Sequence, residues 1–185
     1  YSEAASRVCD GQMLEICDLF DTERDERRYF EAIGGKTAAL FELCAVLGAQ
    51  LAVAEQSTVE MVKRFGWELG LAFQILDDVT DLLLGEPSTG KAVGKDLLQG
   101  VVTLPVIYAI EEEPALGERL VADLDAKSLP ELLKEVSATG GPARAVEQAA
   151  ARAASARGVA AAMPAGQHLV EIAEQMAIEP LKRLS

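Results

Sequence analysis

Between residues 58 and 84, apolar side chains recur at helical spacing on both sides of one narrow polar stripe. Leu69, Phe73, Leu76 and Leu83 form one flank, and Leu71, Ile75, Val79 and Leu82 form the other. A helix that is apolar on two flanks cannot lie on a surface, so further helices must enclose it. The rest of the chain supplies them: apolar positions follow the helical period nearly everywhere, and strand-like alternation is absent. The fold class is therefore all-α. At 185 residues, half of them hydrophobic, the chain is long enough for a core, and no linker divides it. One domain over residues 1–185 is expected.

A first helix is expected over about residues 1–19, and the charged stretch "DTERDERR" links it to a long helix reaching about Ala54. Ser57 is a plausible N-cap for the next helix, over 58–84, which Gly85 and Pro87 close. "GEPSTGKAVGKDLLQG", residues 85–100, is too rich in glycine and lysine to be one regular element, and chemistry is expected there. Shorter helices follow over about 102–113, 115–125, 129–138, 142–163 and 167–178. The Ala-rich stretch from Gly140 to Met163 reads as a peripheral packing helix without chemistry.

Gly70, Gln74, Asp77, Asp78 and Asp81 make up the polar stripe. Carboxylates turned toward a core are costly unless cations meet them, so these are expected to look into a lined cavity and to hold divalent metal. Mg²⁺ suits all-oxygen ligands and bridges carboxylates to a diphosphate or triphosphate. A solvated acidic face is the alternative. In "IGGKTAALFELCAVLGA", Gly34 and Gly35 stand in mid-helix, so either something approaches the backbone closely or the helix bends. Lys36 and Thr37 follow as an ammonium group beside a hydroxyl, suited to an anion or to an oxygen facing a cation, unless Lys36 merely snorkels. Lys91 and Lys95, just past the acidic helix, complete a pattern of acids for metal and lysines for phosphate.

A net charge of -13 argues against a sequence-independent grip on nucleic acid. Asp18, Asp21 and Asp25 read as a solvated interhelical loop. Cys9, Cys17 and Cys44 form no CxxC pair and read as buried, reduced thiols. No signal-type segment and no apolar run long enough to span a bilayer is read, so a soluble cytoplasmic protein is expected. His168, the one histidine, reads as a surface or packing residue.

Four segments, in order, resemble the all-α trans-isoprenyl diphosphate synthases, also called polyprenyl synthetases. "DGQMLEI" is similar to their Gly-Gln helix, and "IGGKTAALFELCAVLGA" to the helix with their Lys-Thr pair. "FQILDDVTDLLLG" resembles their second aspartate-rich motif, and "GKAVGKDLLQGVVTLP" the lysine loop after it. The resemblance covers about residues 1–113 and implies an isoprenoid synthase-type helical bundle.

It also implies a head-to-tail prenyltransferase. An allylic diphosphate ionises, isopentenyl diphosphate attacks the allylic cation, and loss of a proton leaves a chain one isoprene unit longer. By the resemblance, Asp77, Asp78 and Asp81 would hold Mg²⁺ against the leaving diphosphate. Lys36 and Lys91 would contact the allylic diphosphate, with Lys95 in the same lysine loop. Thr37 and Gln74 would place oxygens near the allylic carbon, and the departing diphosphate would act as base. A homodimer is the implied assembly. Two departures stand out: the family's first aspartate-rich motif is missing, and Val101 occupies a place where a lysine is common. The chain thus looks like the C-terminal half of a synthase, with a non-catalytic partner subunit or a class I terpene cyclase as alternatives.

Overall fold

The computed structural model describes residues 2–84, 93–122, 124–164 and 166–184. Helix α1 (Ser2–Cys17) leads to a rod, Glu26–Leu51, built from α2 (Glu26–Ile33), a π-helical turn (Gly34–Ala38) and α3 (Ala39–Leu51). Helix α4 (Gln56–Leu83) is the longest, and α5 (Lys95–Leu98) is a single turn. Then come α6 (Leu104–Glu112), α7 (Ala115–Ala122), α8 (Leu129–Ala138) and α9 (Gly141–Ala161). Helix α10 (Gln167–Ala173), a second π turn (Glu174–Ile178) and α11 (Glu179–Leu184) close the described chain, so the last helical segment runs past the expected end at 178. No strand occurs among the described residues, as the periodicity predicts.

Helix α4 is the axis of the core. Phe65, Leu69, Leu71, Ile75, Leu76, Val79 and Leu82 are all buried along both flanks of its polar stripe. One side packs on α3 and the first π turn, and the other on α9. That second contact corrects the expectation of a peripheral Ala-rich helix. Ala145, Ala149, Ala153, Ala156 and Ala160 are essentially inaccessible to solvent, and Arg152 reaches Glu68 of α4 at 3.3 Å. A methyl-only surface lets two helix backbones approach closely, which composition alone does not reveal.

Other local details also differ. Helix α4 starts at Gln56, which puts Ser57 inside the first turn rather than at the cap. Cys9, Cys17 and Cys44 are exposed, not buried. Asp18 is not in a solvated loop: it is buried between Arg24, at 3.3 Å, and Arg28, and Arg24 donates to the Val102 carbonyl at 2.8 Å. The three side chains clamp the α1–α2 connection onto the segment before α6. Asp25 does stay exposed, capping α2 by accepting from the Arg28 amide at 2.8 Å. Glu26–Leu51 is long and apolar enough by composition to cross a bilayer, contrary to the expectation that no run is. One face of it packs against α1 and α4.

Candidate active site

Two helices that meet through their backbones position the site. A Cβ on Gly11 would stand 2.3 Å from the Lys36 amide nitrogen, and one on Gly35 would stand 2.5 Å from the Arg7 carbonyl oxygen. Only glycine lets α1 approach the rod so closely. The rod answers with the π turn over Gly34–Ala38, whose extra residue per turn redirects Lys36 and Thr37. Close approach and a helical irregularity therefore both occur at the Gly-Gly pair. On the other side Gly70 of α4 faces Ala38, where an added Cβ would lie 2.7 Å from the Ala38 Cα. Thr37 and Gln74, each beside one of these contacts, are thereby brought into register.

From that register a chain of hydrogen bonds runs across the helices. The Thr37 hydroxyl donates to Gln74 Oε1 at 2.7 Å, and Gln74 Nε2 donates to Asp78 Oδ1 at 2.8 Å. The Tyr29 hydroxyl donates to Asp78 Oδ2 at 2.7 Å. Lys36 turns to α1, where its Nζ meets Glu15 Oε1 at 2.7 Å. The Asp96 amide donates to Asp81 Oδ2 at 3.1 Å, and the Gly94 amide to the Asp81 carbonyl at 2.9 Å, so Asp81 ties the single-turn helix α5 to the end of α4.

The structure therefore separates the three carboxylates that the sequence groups before one cavity. Asp77 is exposed, Asp81 is half-buried, and Asp78 is buried with both oxygens taken by Tyr29 and Gln74. Burial pushes the Asp78 carboxyl up to about 7, the negative charges of Asp96 and Asp77 add to the push, and the two hydrogen bonds oppose it. Asp96 is raised as well, by burial and then by Asp81, with Lys36 opposing. The Tyr29 hydroxyl is raised well above its ordinary value, by burial and then by Asp78.

Lys95 is exposed on α5, and Lys91 lies outside the described residues. Glu15, Tyr29 and Asp96 were missed by sequence reasoning. Asp96 stands beside a lysine in a Gly-rich loop and could have been suspected. Tyr29 lies on another helix, and nothing near it in sequence points to Asp78; Glu15 falls inside the "DGQMLEI" segment, which is read for its Gly-Gln pair alone.

Among the described residues no three carboxylate, His or Cys side chains converge as a preformed ligand set. The donor chemistry fits a hard divalent cation nonetheless. Asp77, Asp81 and Asp96 are all-oxygen donors at the ends of α4 and α5, and a cation that keeps several waters suits separated carboxylates. Burial and then the negative charge of Asp81 raise the Asp96 carboxyl, and a cation between the two would relieve the second of these. Beyond Thr37 the surface turns apolar: a groove of about 660 Å³ runs between α3, α4 and α10, lined by Leu40, Phe41, Cys44, Phe65, Leu69 and Ile172 among others. Phe73, next to Gln74 in sequence, packs on Phe41 of the groove wall, with ring centroids 5.4 Å apart.

The family model for polyprenyl synthetase matches residues 1–137. The chain belongs to that family. It is 36% identical over 141 residues to heptaprenyl diphosphate synthase component 2 of Bacillus subtilis, covering 75% of this chain and 40% of that protein. It is 44% identical over 116 residues to geranylgeranyl diphosphate synthase of Mycobacterium tuberculosis, covering 62% of this chain and 33% of the relative. The fold matches a heptaprenyl diphosphate synthase from Staphylococcus aureus with a TM-score of 0.89 at 26% identity, over 95% of this chain and 57% of that one. It also matches a polyprenyl synthase from Caulobacter crescentus, solved with calcium and isoprenyl diphosphate, with a TM-score of 0.85 at 27% identity over 94% and 56% of the two chains. The all-α isoprenoid synthase fold expected from the sequence is thus the fold observed. The chain spans well under two thirds of the length of each of these proteins.

Proposed function

We propose that this polyprenyl synthetase chain is the C-terminal part of a Mg²⁺-dependent head-to-tail prenyltransferase, which condenses isopentenyl diphosphate with an allylic diphosphate into longer polyprenyl diphosphates. One observation carries the reading: Lys36 and Thr37 on the π turn, with Thr37 bonded to Gln74 on the acidic helix α4, stand one helical turn before Leu40, where the lining of the apolar groove begins. A diphosphate needs the polar end and a prenyl tail needs the groove.

Asp77 and Asp81, with Asp96 beside them, would hold Mg²⁺. When bound, the metal would neutralise the diphosphate as it departs. Lys36 exchanges its bond to Glu15 for a phosphate oxygen, and Lys91 and Lys95 supply further positive charge from the loop side. Thr37 and Gln74 turn oxygens toward the carbon where positive charge develops, and the apolar walls keep out water that would quench it. The departing diphosphate takes the proton, since His168 is exposed on α10 beside Glu171 at 3.3 Å. The 185 residues act as one unit within a cytoplasmic homodimer.

A second reading is a subunit of a two-component synthase. It is favoured by relatives named as component 2 of heptaprenyl diphosphate synthases. The test is to incubate the complete protein that carries this chain with labelled isopentenyl diphosphate, a series of allylic primers and Mg²⁺, and to look for extended prenyl diphosphates. Products from the protein alone support the first reading. Products only after a second subunit is added support the other, and none in either case contradicts both.

A further inference from the structure

The hydrogen-bond chain that ends on Tyr29 has a direction, and its direction is set by Asp78. A glutamine amide is symmetric in shape but not in charge: one end accepts and the other donates. Gln74 sits between a hydroxyl, which can do either, and a carboxylate whose two oxygens accept from Gln74 and Tyr29. Turning Oε1 toward Asp78 would set two partial negative charges against each other in a buried place, where an unmet polar atom is costly. With Asp78 ionised the amide presents Nε2 to Asp78 and Oε1 to Thr37, as observed, and Thr37 spends its hydrogen on Gln74. What remains free on Thr37 is oxygen lone pairs.

We propose that Asp78, held in place by Tyr29, is a positioning residue that fixes which end of the Gln74 amide faces Thr37, so that both side chains offer oxygen rather than hydrogen to a developing allylic cation. This rests on the prenyltransferase reading for its use, but not for its geometry. It gives Asp78 a task different from that of Asp77 and Asp81. The latter two are accessible to a diphosphate-bound cation, whereas Asp78 is 4% exposed. Tyr29 adds the lateral restraint. Its ring is inaccessible, packed edge-on against Phe30 and beneath Arg24, so the hydroxyl is delivered to Asp78 from a fixed direction.

The sharpest substitutions exchange the two functional groups. In Asp78→Asn an amide faces an amide, so Gln74 is free to turn and to aim Nε2 at Thr37 and the reacting carbon. In Asp78→Asn combined with Gln74→Glu the acceptor is moved one place along the chain. The new amide at position 78 then donates to the new carboxylate at position 74, and that carboxylate accepts from Thr37. The amide oxygen at position 78 still accepts from Tyr29. The direction at Thr37 is restored although the carboxylate at position 78 is gone. A metal ligand or a merely space-filling residue at that position would not be rescued in this way.

The experiment uses the complete protein and two readouts. By NMR, the Gln74 side-chain amide protons should exchange with water at least about tenfold more slowly than a free glutamine amide, and at the free rate in Asp78→Ala. In steady-state elongation assays, Asp78→Asn should lower kcat by about 100-fold, with KM for both diphosphates and the Mg²⁺ requirement within about threefold of the parent. Tyr29→Phe should lose about tenfold in kcat. The double variant should recover at least about tenfold over Asp78→Asn. An unprotected Gln74 amide in the parent would overturn the proposal, as would an Asp78→Asn defect that excess Mg²⁺ repairs or that Gln74→Glu fails to improve. A parent that elongates nothing while its Gln74 amide stays protected would contradict the prenyltransferase reading and leave the hydrogen-bond direction standing.

Discussion

Lys36 Nζ stands 2.7 Å from Glu15 Oε1 across the seam where α1 meets the π turn, with both groups partly buried. The carboxylate parks the ammonium at the polar head of the groove, and a diphosphate with more charge can take it over. Lys36→Met should raise KM for the allylic diphosphate by about 10- to 100-fold and leave the fold unchanged, consistent with the loss of one charge-assisted contact. Steady-state kinetics with circular dichroism checks both parts.

Gly35 is where the seam is tightest, since an added Cβ would lie 2.5 Å from the Arg7 carbonyl and 3.0 Å from the Gly11 Cα. Backbone cannot move aside as a flexible side chain can. Gly35→Ala should therefore cost about 2 to 4 kcal/mol, more than helix propensity would return, and a denaturant midpoint would record it. It should also displace Lys36 and depress activity in the folded fraction.

The packing of α4 on α9 can be tested from the alanine side. Ala153 is 1% exposed, in the row of buried alanines on α9. Ala153→Leu should destabilise by about 1 to 3 kcal/mol through overpacking, despite the high helix propensity of leucine. The exposed Ala154→Leu should change stability little. Thermal melts of the two variants side by side decide it.

The buried carboxyl of Asp78 predicts a pH dependence for the metal-free protein. Its folded value is raised from 3.8 to about 7, chiefly by burial, so the folded state holds this proton more tightly than the unfolded one. Below the lower value the group is protonated in both states and carries no penalty. As pH rises toward 7 the unfolded chain ionises first, and stability falls. Above about 7 the contribution is level. Asp78→Asn should flatten the melting temperature across that window, and differential scanning calorimetry at a series of pH values measures it.

How much of this could be read from the sequence varies with the range of the interaction. The α4 stripe and its apolar flanks are local in sequence, and six of the eight flank residues are buried as their spacing requires, whereas Leu83 is half-buried and Phe73 is exposed. A close approach or bend at Gly34 and Gly35 was legible, and the resemblance put the oxygens of Thr37 and Gln74 near one carbon, but the hydrogen bond between them was not foreseen. The central place of α9 was not legible, because a stripe of alanines looks the same on a surface as in a tight helix contact. The partners Tyr29, Glu15 and Asp96 were not legible either. Each is supplied by a different element, and helix spacing says nothing about which side chain waits across a seam. Asp18 was misjudged for a related reason: Arg24 and Arg28 fold back over it, and the density of charge in "DTERDERR" hides a buried ion pair.

The most direct test of the account compares the complete parent protein with its Asp77→Ala variant in isopentenyl diphosphate elongation at saturating Mg²⁺, with folding monitored on the same samples. The account predicts extended prenyl diphosphates from the parent, and from the variant a rate lower by at least about 100-fold with the helical signal and melting temperature retained. A variant that elongates as fast as the parent would contradict the assignment of the α4 acids to the diphosphate-bound metal.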